Sequence, residues 1–345
     1  MIFDTYQDYR DAWNNAYQKD PKIPLNIDIE LASICNLRCP FCFYGEANWN
    51  HEMDKLSFDG KPKKRLMSTA LATKIIDEAA ELGVPALKFN WRGESTLHPD
   101  YSEILRYAAD KIKEQREQVG DSDFKIRFQN PYFFDLLVNT NANCKDHAID
   151  GLMVATKCMI SLDSTIPEIY SKMRVNGRLE RAIEVTKELI KRGHRNLWIR
   201  RVITQQNREE IFKRRVDEIF GGGGYKVSEH YCMDRGDNFH ALNNPDQYDR
   251  TYCGYPSQRL MVAADGICYP CCVDTDGTMP VGNVYESSLK QIWNGDKMQN
   301  LRRQLKNNIF KSKICSRCES WMAYKAPQRL NVQDKEVLDV ANGRG

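Results

Sequence analysis

From Asn26 onward, short β-rich runs alternate with amphipathic helical stretches, and this alternation restricts the chain to a parallel sheet with helical crossovers. Strands are expected at Asn26–Leu31, Ala86–Trp91, Phe134–Asn139, Cys158–Asp163, Leu197–Thr204 and Tyr225–Cys232. Between them, Ser68 caps a helix that runs to about Leu82, where Gly83 stops it. Further helical patterns cover Tyr101–Arg116, Leu179–Lys191 and Arg208–Phe220. The implied class is α/β, with six strands curled into a partial (β/α)6 barrel whose reactive end lies at the carboxyl ends of the strands. Residues 1–24 form an N-terminal extension and 25–232 the barrel. Gly-, Pro- and Cys-rich sequence then makes residues 233–325 a smaller β-hairpin and helix unit, followed by a polar tail at 326–345.

Composition excludes several classes. A net charge of +3 on 345 residues gives no general drive toward nucleic acid. The basic run Lys61, Lys63, Lys64 and Arg65 reads as a solvated loop, with a phosphate-bearing substrate or polyanion as the alternative. No apolar stretch is long enough to span a bilayer, and the first residues lack the pattern of a signal peptide. A reducing, cytoplasmic setting is therefore expected, in which the 12 cysteines suit metal or cluster ligation better than disulfides.

Cys35, Cys39 and Cys42 place three thiolates within eight residues, directly after the first expected strand. Three thiolates suit a [4Fe–4S] cluster with one iron left open. A structural zinc site is the alternative, but it wants four ligands and only His51 is near in sequence.

The Cys-x-x-x-Cys-x-x-Cys spacing, with Phe41 before the last cysteine, resembles the signature of the radical S-adenosylmethionine (SAM) superfamily. The resemblance implies that the open iron binds the amino and carboxylate groups of SAM. Reductive cleavage then yields a 5′-deoxyadenosyl radical that takes a hydrogen atom from a substrate. Other positions follow the family order over roughly residues 25–230. Arg92-Gly93-Glu94-Ser95 resembles the Gly-Gly-Glu-Pro motif that holds the methionyl amino group, with its first Gly and its Pro replaced. Asn141 ends a segment similar to Thr-Asn-Gly, with Ala142 in place of Gly. Ser161 and Arg174 resemble the pair that binds the methionyl carboxylate, and Asn207 a polar position near the cofactor. Read without the family, Glu94 is a helix cap, Ser161 satisfies backbone groups and Arg174 is a surface residue.

A second group of cysteines resembles the SPASM/Twitch extension of these enzymes, which holds auxiliary iron–sulfur clusters. Cys253, Cys271, Cys315 and Cys318 would complete one auxiliary [4Fe–4S] cluster, which fits the shorter Twitch form. Cys268 and Cys272 compete for the place of Cys271, since sequence does not say which side of the hairpin faces inward. A zinc ribbon is the alternative for four thiolates. Cys144, Cys158 and Cys232 read as ordinary buried thiols.

The resemblance implies hydrogen abstraction from a substrate, with the auxiliary cluster relaying a second electron, and a reducing partner such as flavodoxin or ferredoxin. About 25 residues precede the first strand, which leaves no room for a leader-binding module, so a small-molecule substrate is expected over a peptide. A peptide- or protein-modifying maturase is the alternative, and a noncatalytic iron–sulfur or zinc protein the alternative of another class. Of Arg200 and Arg201 on the fifth strand, one is expected to face the barrel interior.

Overall fold

The computed structural model describes residues 6–42, 66–118, 135–232 and 253–318. His51, the basic run at 61–65 and the tail from Ala326 lie outside the described residues. Six parallel strands follow the expected order: β1 (Asn26–Ile29), β2 (Ala86–Lys88), β3 (Asp135–Thr140), β4 (Lys157–Ser161), β5 (Leu197–Ile203) and β6 (Lys226–Tyr231). They neighbour one another in sequence order, as repeated right-handed crossovers require. Three further strands extend the sheet beyond β1. β7 (Arg259–Val262) pairs with β1 in parallel, and β8 (Ile267–Tyr269) and β9 (Gly282–Asn283) follow as an antiparallel meander. One hydrogen-bonded sheet thus joins the partial barrel to the cysteine-rich segment.

The helices form for local reasons. The Ser68 hydroxyl accepts from Leu71 N at 3.2 Å, and Gly83 takes the left-handed conformation that ends Thr69–Leu82. That helix buries Leu71, Ala72, Ile75, Ile76 and Ala79, a stripe of helical period. The helix Leu179–Lys191 does the same with Ala182, Val185, Thr186 and Leu189. These stripes pack on Ile27, Ile29, Val138, Ile160 and Ile199, which point outward from the strands. By alternation, the other strand positions face the barrel interior, and many of them are polar: Asn26, Asp28, Lys88, Asn139, Ser161, Arg200 and Ser228.

Several elements are shorter than expected, two of them by three residues or more. β2 stops at Lys88, because Trp91 and Arg92 turn toward the cysteine-rich segment. The helix after β5 begins at Phe212 rather than Arg208. Before it, the Arg201 guanidinium holds the carbonyls of Asn207 and Glu210, at 2.8 and 2.9 Å, in a turn. Arg201 therefore points away from the barrel interior, pairing with Glu229 on the outer face, and Arg200 takes the inner face.

Candidate active site

The loop carrying Cys35, Cys39 and Cys42 leaves the carboxyl end of β1 and is gripped by three neighbouring loops. After β2, Glu94 N donates to Ile34 O at 2.8 Å. Gly93 has φ +70°, and a Cβ there would stand 2.5 Å from the carbonyl oxygens of both Ala32 and Ile34. Glycine is needed for that approach. After β3, the Asn141 amide donates to Asn36 Oδ1 at 2.9 Å and lies 4.0 Å from Cys35 Sγ. After the helix Pro167–Met173, Val175 O accepts from Arg38 N at 2.9 Å.

Glu94 is buried and both of its oxygens are occupied. One accepts from Thr96 and Thr140, the other from Asn141 N at 2.8 Å. Its carboxylate caps the short 3-10 turn Ser95–Leu97 and ties the end of β2 to the end of β3. Burial raises its pKa, and these hydrogen bonds work against the rise.

Arg174 is buried too. Its Nη1 lies 3.5 Å from Cys39 Sγ, its Nη2 lies 2.5 Å from Asp163 Oδ2, and the Phe41 ring stands 5.5 Å away. Asp163 is the partner that motif reasoning passed over. It adopts φ +65°, and its other carboxylate oxygen accepts from Val202 N at 2.7 Å. Nothing in the sequence marks that conformation. Ser161 lies on the inner face at the end of β4, opposite Arg200 in register. Asn207 is fully buried, with its amide spent on the carbonyls of Asp163 and Val202 and on Thr204 N. It clamps the ends of β4 and β5.

The donor set suits iron–sulfur chemistry. Burial pushes the Cys35 thiol up to about 12, with Glu94 and the two other cysteines adding to the shift. Such thiols ionise when metal replaces the proton. The Arg174 guanidinium and the Asn141 amide, directed at Cys39 and Cys35, are suited to ligated sulfur.

The second group converges around one narrow, largely apolar cavity lined by Cys253, Cys271, Cys315, Cys318, Tyr255 and Ile314. Cys268 is excluded from it. The β7–β8 pairing turns its side chain into the main core beneath the helices, where it is wholly buried. Cys272 packs against the Trp91 side of the hairpin as well as against Cys271, and its carbonyl accepts from Trp91 Nε1 at 2.8 Å. Among the described residues, no three Cys, His, Asp or Glu side chains converge as closely as ligands of a single metal ion do. Cys144, Cys158 and Cys232 are buried, and none is in a disulfide.

The radical SAM superfamily pattern matches residues 29–215, and that of the SPASM iron–sulfur cluster-binding domain matches 253–319. The chain belongs to the radical SAM superfamily. As a radical SAM enzyme it uses SAM and a [4Fe–4S] cluster, and its SPASM region carries auxiliary iron–sulfur. A curated relative, the S-adenosyl-L-methionine-dependent 2-deoxy-scyllo-inosamine dehydrogenase of Niallia circulans, is 33% identical over 144 residues. That alignment covers 40% of this chain and 54% of the relative, so the match spans about half of the relative's length. Among solved structures, BtrN in complex with AdoMet and 2-DOIA aligns with a TM-score of 0.53 at 16% identity, covering 86% of this chain and 93% of BtrN. Streptococcus suis SuiB aligns at 0.55 and 15%, over 82% of this chain and 68% of SuiB. Native anSMEcpe with bound AdoMet aligns at 0.55 and 15%, over 92% of this chain and all (100%) of that one. At such identities these three similarities establish the partial-barrel fold alone. Among the described residues, no helix is long and apolar enough to cross a membrane.

Proposed function

We propose that this radical SAM enzyme dehydrogenates a small hydroxylated molecule bound inside the barrel. The observation that carries the reading is the inner wall. The side-chain oxygens of Asn90, Asn139 and Ser228 are buried there without a hydrogen-bond partner. Asn90 lies just past the end of β2 and Asn139 near the end of the neighbouring β3, and register places Ser161, Arg200 and Ser228 on one level. Unsatisfied buried polar atoms on a concave wall are costly unless a polar ligand pairs with them. The dehydrogenase activity named for the Niallia circulans relative supports the same reaction class.

In this reading Cys35, Cys39 and Cys42 hold the [4Fe–4S] cluster, and Cys253, Cys271, Cys315 and Cys318 an auxiliary one. Together with SAM, these groups supply hydrogen-atom abstraction and a place for the second electron of an alcohol oxidation. The chain's own residues bind and orient. Arg174 Nε is buried without a partner, which leaves one guanidinium donor for the methionyl carboxylate. Asn141 steadies the cysteine loop, while Gly93 and Glu94 set its distance from β2 and β3. Phe41 covers the guanidinium face, and Asn207 fixes the strand ends on which Asp163 stands.

The test is anaerobic turnover of the fully loaded enzyme with dithionite and C-deuterated candidates, 2-deoxy-scyllo-inosamine first. Deuterium in 5′-deoxyadenosine together with a ketone product is the expected result. Label transfer only from a peptide substrate would replace this reading with a maturase.

A further inference from the structure

The amino-terminal ends of the strands, opposite the cysteine loop, enclose a cavity of about 490 Å³. Its size falls in the range of small-molecule sites. Six cations line it: Arg10, Lys88, Lys157, Arg195, Lys226 and Arg259. They come from the N-terminal helix, from β2, β4, β6 and β7, and from the turn before β5, so the fold gathers them from distant parts of the sequence.

Among the described residues, carboxylates are fewer than these cations. Asp28 lies at 3.5 Å from both Lys88 and Arg259, and Asp135 is the one described acidic side chain on the cavity wall. Among the described residues, Arg10, Lys157, Arg195 and Lys226 have no carboxylate within ion-pair distance, and Asp135 acts on Lys157 and Arg10 only from farther away. Lys157 and Lys226 lie instead over the Trp198 ring at 4.4 and 5.2 Å, and Arg10 stands 5.7 Å from the Trp13 ring. Burial lowers the Lys157 pKa; the Asp135 carboxylate works against that shift, while Arg200, Arg10 and Lys226 add to it. An independent observation also points to a ligand. Asn26 lines the cavity at 2% exposure, and both its Nδ2 and its Oδ1 lack a hydrogen-bond partner. A buried amide left wholly unpaired is costly, and a ligand oxygen on Nδ2 would offset that cost.

We propose that this cavity is a second binding site, for a small organic phosphate. A phosphate group meets the excess of cations, and Trp13 and Trp198 flank the space that the organic part fills. The site lies at the far end of the strands from the SAM-binding loops and uses none of their residues.

The experiment is calorimetric titration of the reconstituted holoenzyme at physiological ionic strength, where exposed charge is screened. The probes are glucose 6-phosphate, inorganic phosphate and glucose. Saturable binding of glucose 6-phosphate, tighter than inorganic phosphate and absent for glucose, is expected. Lys157→Gln is expected to weaken it at least tenfold. Arg195→Gln, at an exposed position where folding is not at stake, is expected to weaken it several-fold. Binding of inorganic phosphate alone would overturn the organic part of the proposal. No saturable binding of either anion, or binding unchanged in both variants, would overturn it entirely.

Discussion

The Arg174 guanidinium stands between Cys39 and Asp163, with Nη1 3.5 Å from the sulfur and Nη2 2.5 Å from the carboxylate. It joins the first cysteine loop to the end of β4, and it draws together three residues spread over 136 positions of sequence, Cys39 to Arg174 inclusive. Removing one member of a buried ion pair leaves the other charge without compensation, at a cost of about 3–5 kcal/mol. Asp163→Ala is therefore expected to lower the stability of the holoenzyme by that order, as measured by anaerobic denaturant titration.

Arg174→Gln is expected to act differently. Its side chain keeps a donor near Cys39 but loses the charge. Iron content is expected to stay close to that of the parent, while SAM affinity falls at least about tenfold, the scale of one charge-assisted hydrogen bond. Equilibrium binding of SAM to the reconstituted variant measures this, and unchanged affinity would remove Arg174 from the carboxylate site.

Gly93→Ala would drive a methyl group into the carbonyls of Ala32 and Ile34 at a backbone angle that alanine resists. The strained backbone alone costs about 1–3 kcal/mol. Displacement of the cysteine loop is expected, with iron falling from about eight to about four atoms per chain as one cubane is lost. Colorimetric iron and sulfide assays after anaerobic reconstitution read the change.

Ala142 stands where the resembled motif has glycine, and it adopts φ +57°. Ala142→Gly is expected to stabilise the protein by about 1 kcal/mol, because relief of left-handed strain exceeds the entropy glycine loses on folding. A rise in the anaerobic denaturation midpoint checks it.

Cys271 and Cys268 are separated by three positions yet face opposite sides of the hairpin. Cys271→Ser is expected to cost about four irons per chain, one cubane. Cys268→Ala is expected to keep the iron and to lower stability by about 1 kcal/mol, for a small buried side chain lost from the core. Equal iron loss in both variants would reverse the assignment.

The sequence by itself determined the strand and helix order, because the periods 2 and 3.6 are written residue by residue and report which face is buried. Ser68 and Gly83 mark their helix for the same reason: a cap is a local hydrogen bond or a local backbone angle. The spacing of Cys35, Cys39 and Cys42 was equally local, and so was its family resemblance. Tertiary structure alone decided that Arg200 faces the interior and Arg201 the helices, since alternation allows either choice of face. It decided that the Arg92 side chain leaves the motif loop to form a buried two-point pair with Glu30, at 2.7 and 2.8 Å. It turned Glu94 and Asn207 inward to tie strand ends together, and it gathered Arg10, Lys157 and Lys226 around one cavity. Such contacts join residues far apart in the chain. Their energies exist only once the sheet has closed, so no window of sequence contains them.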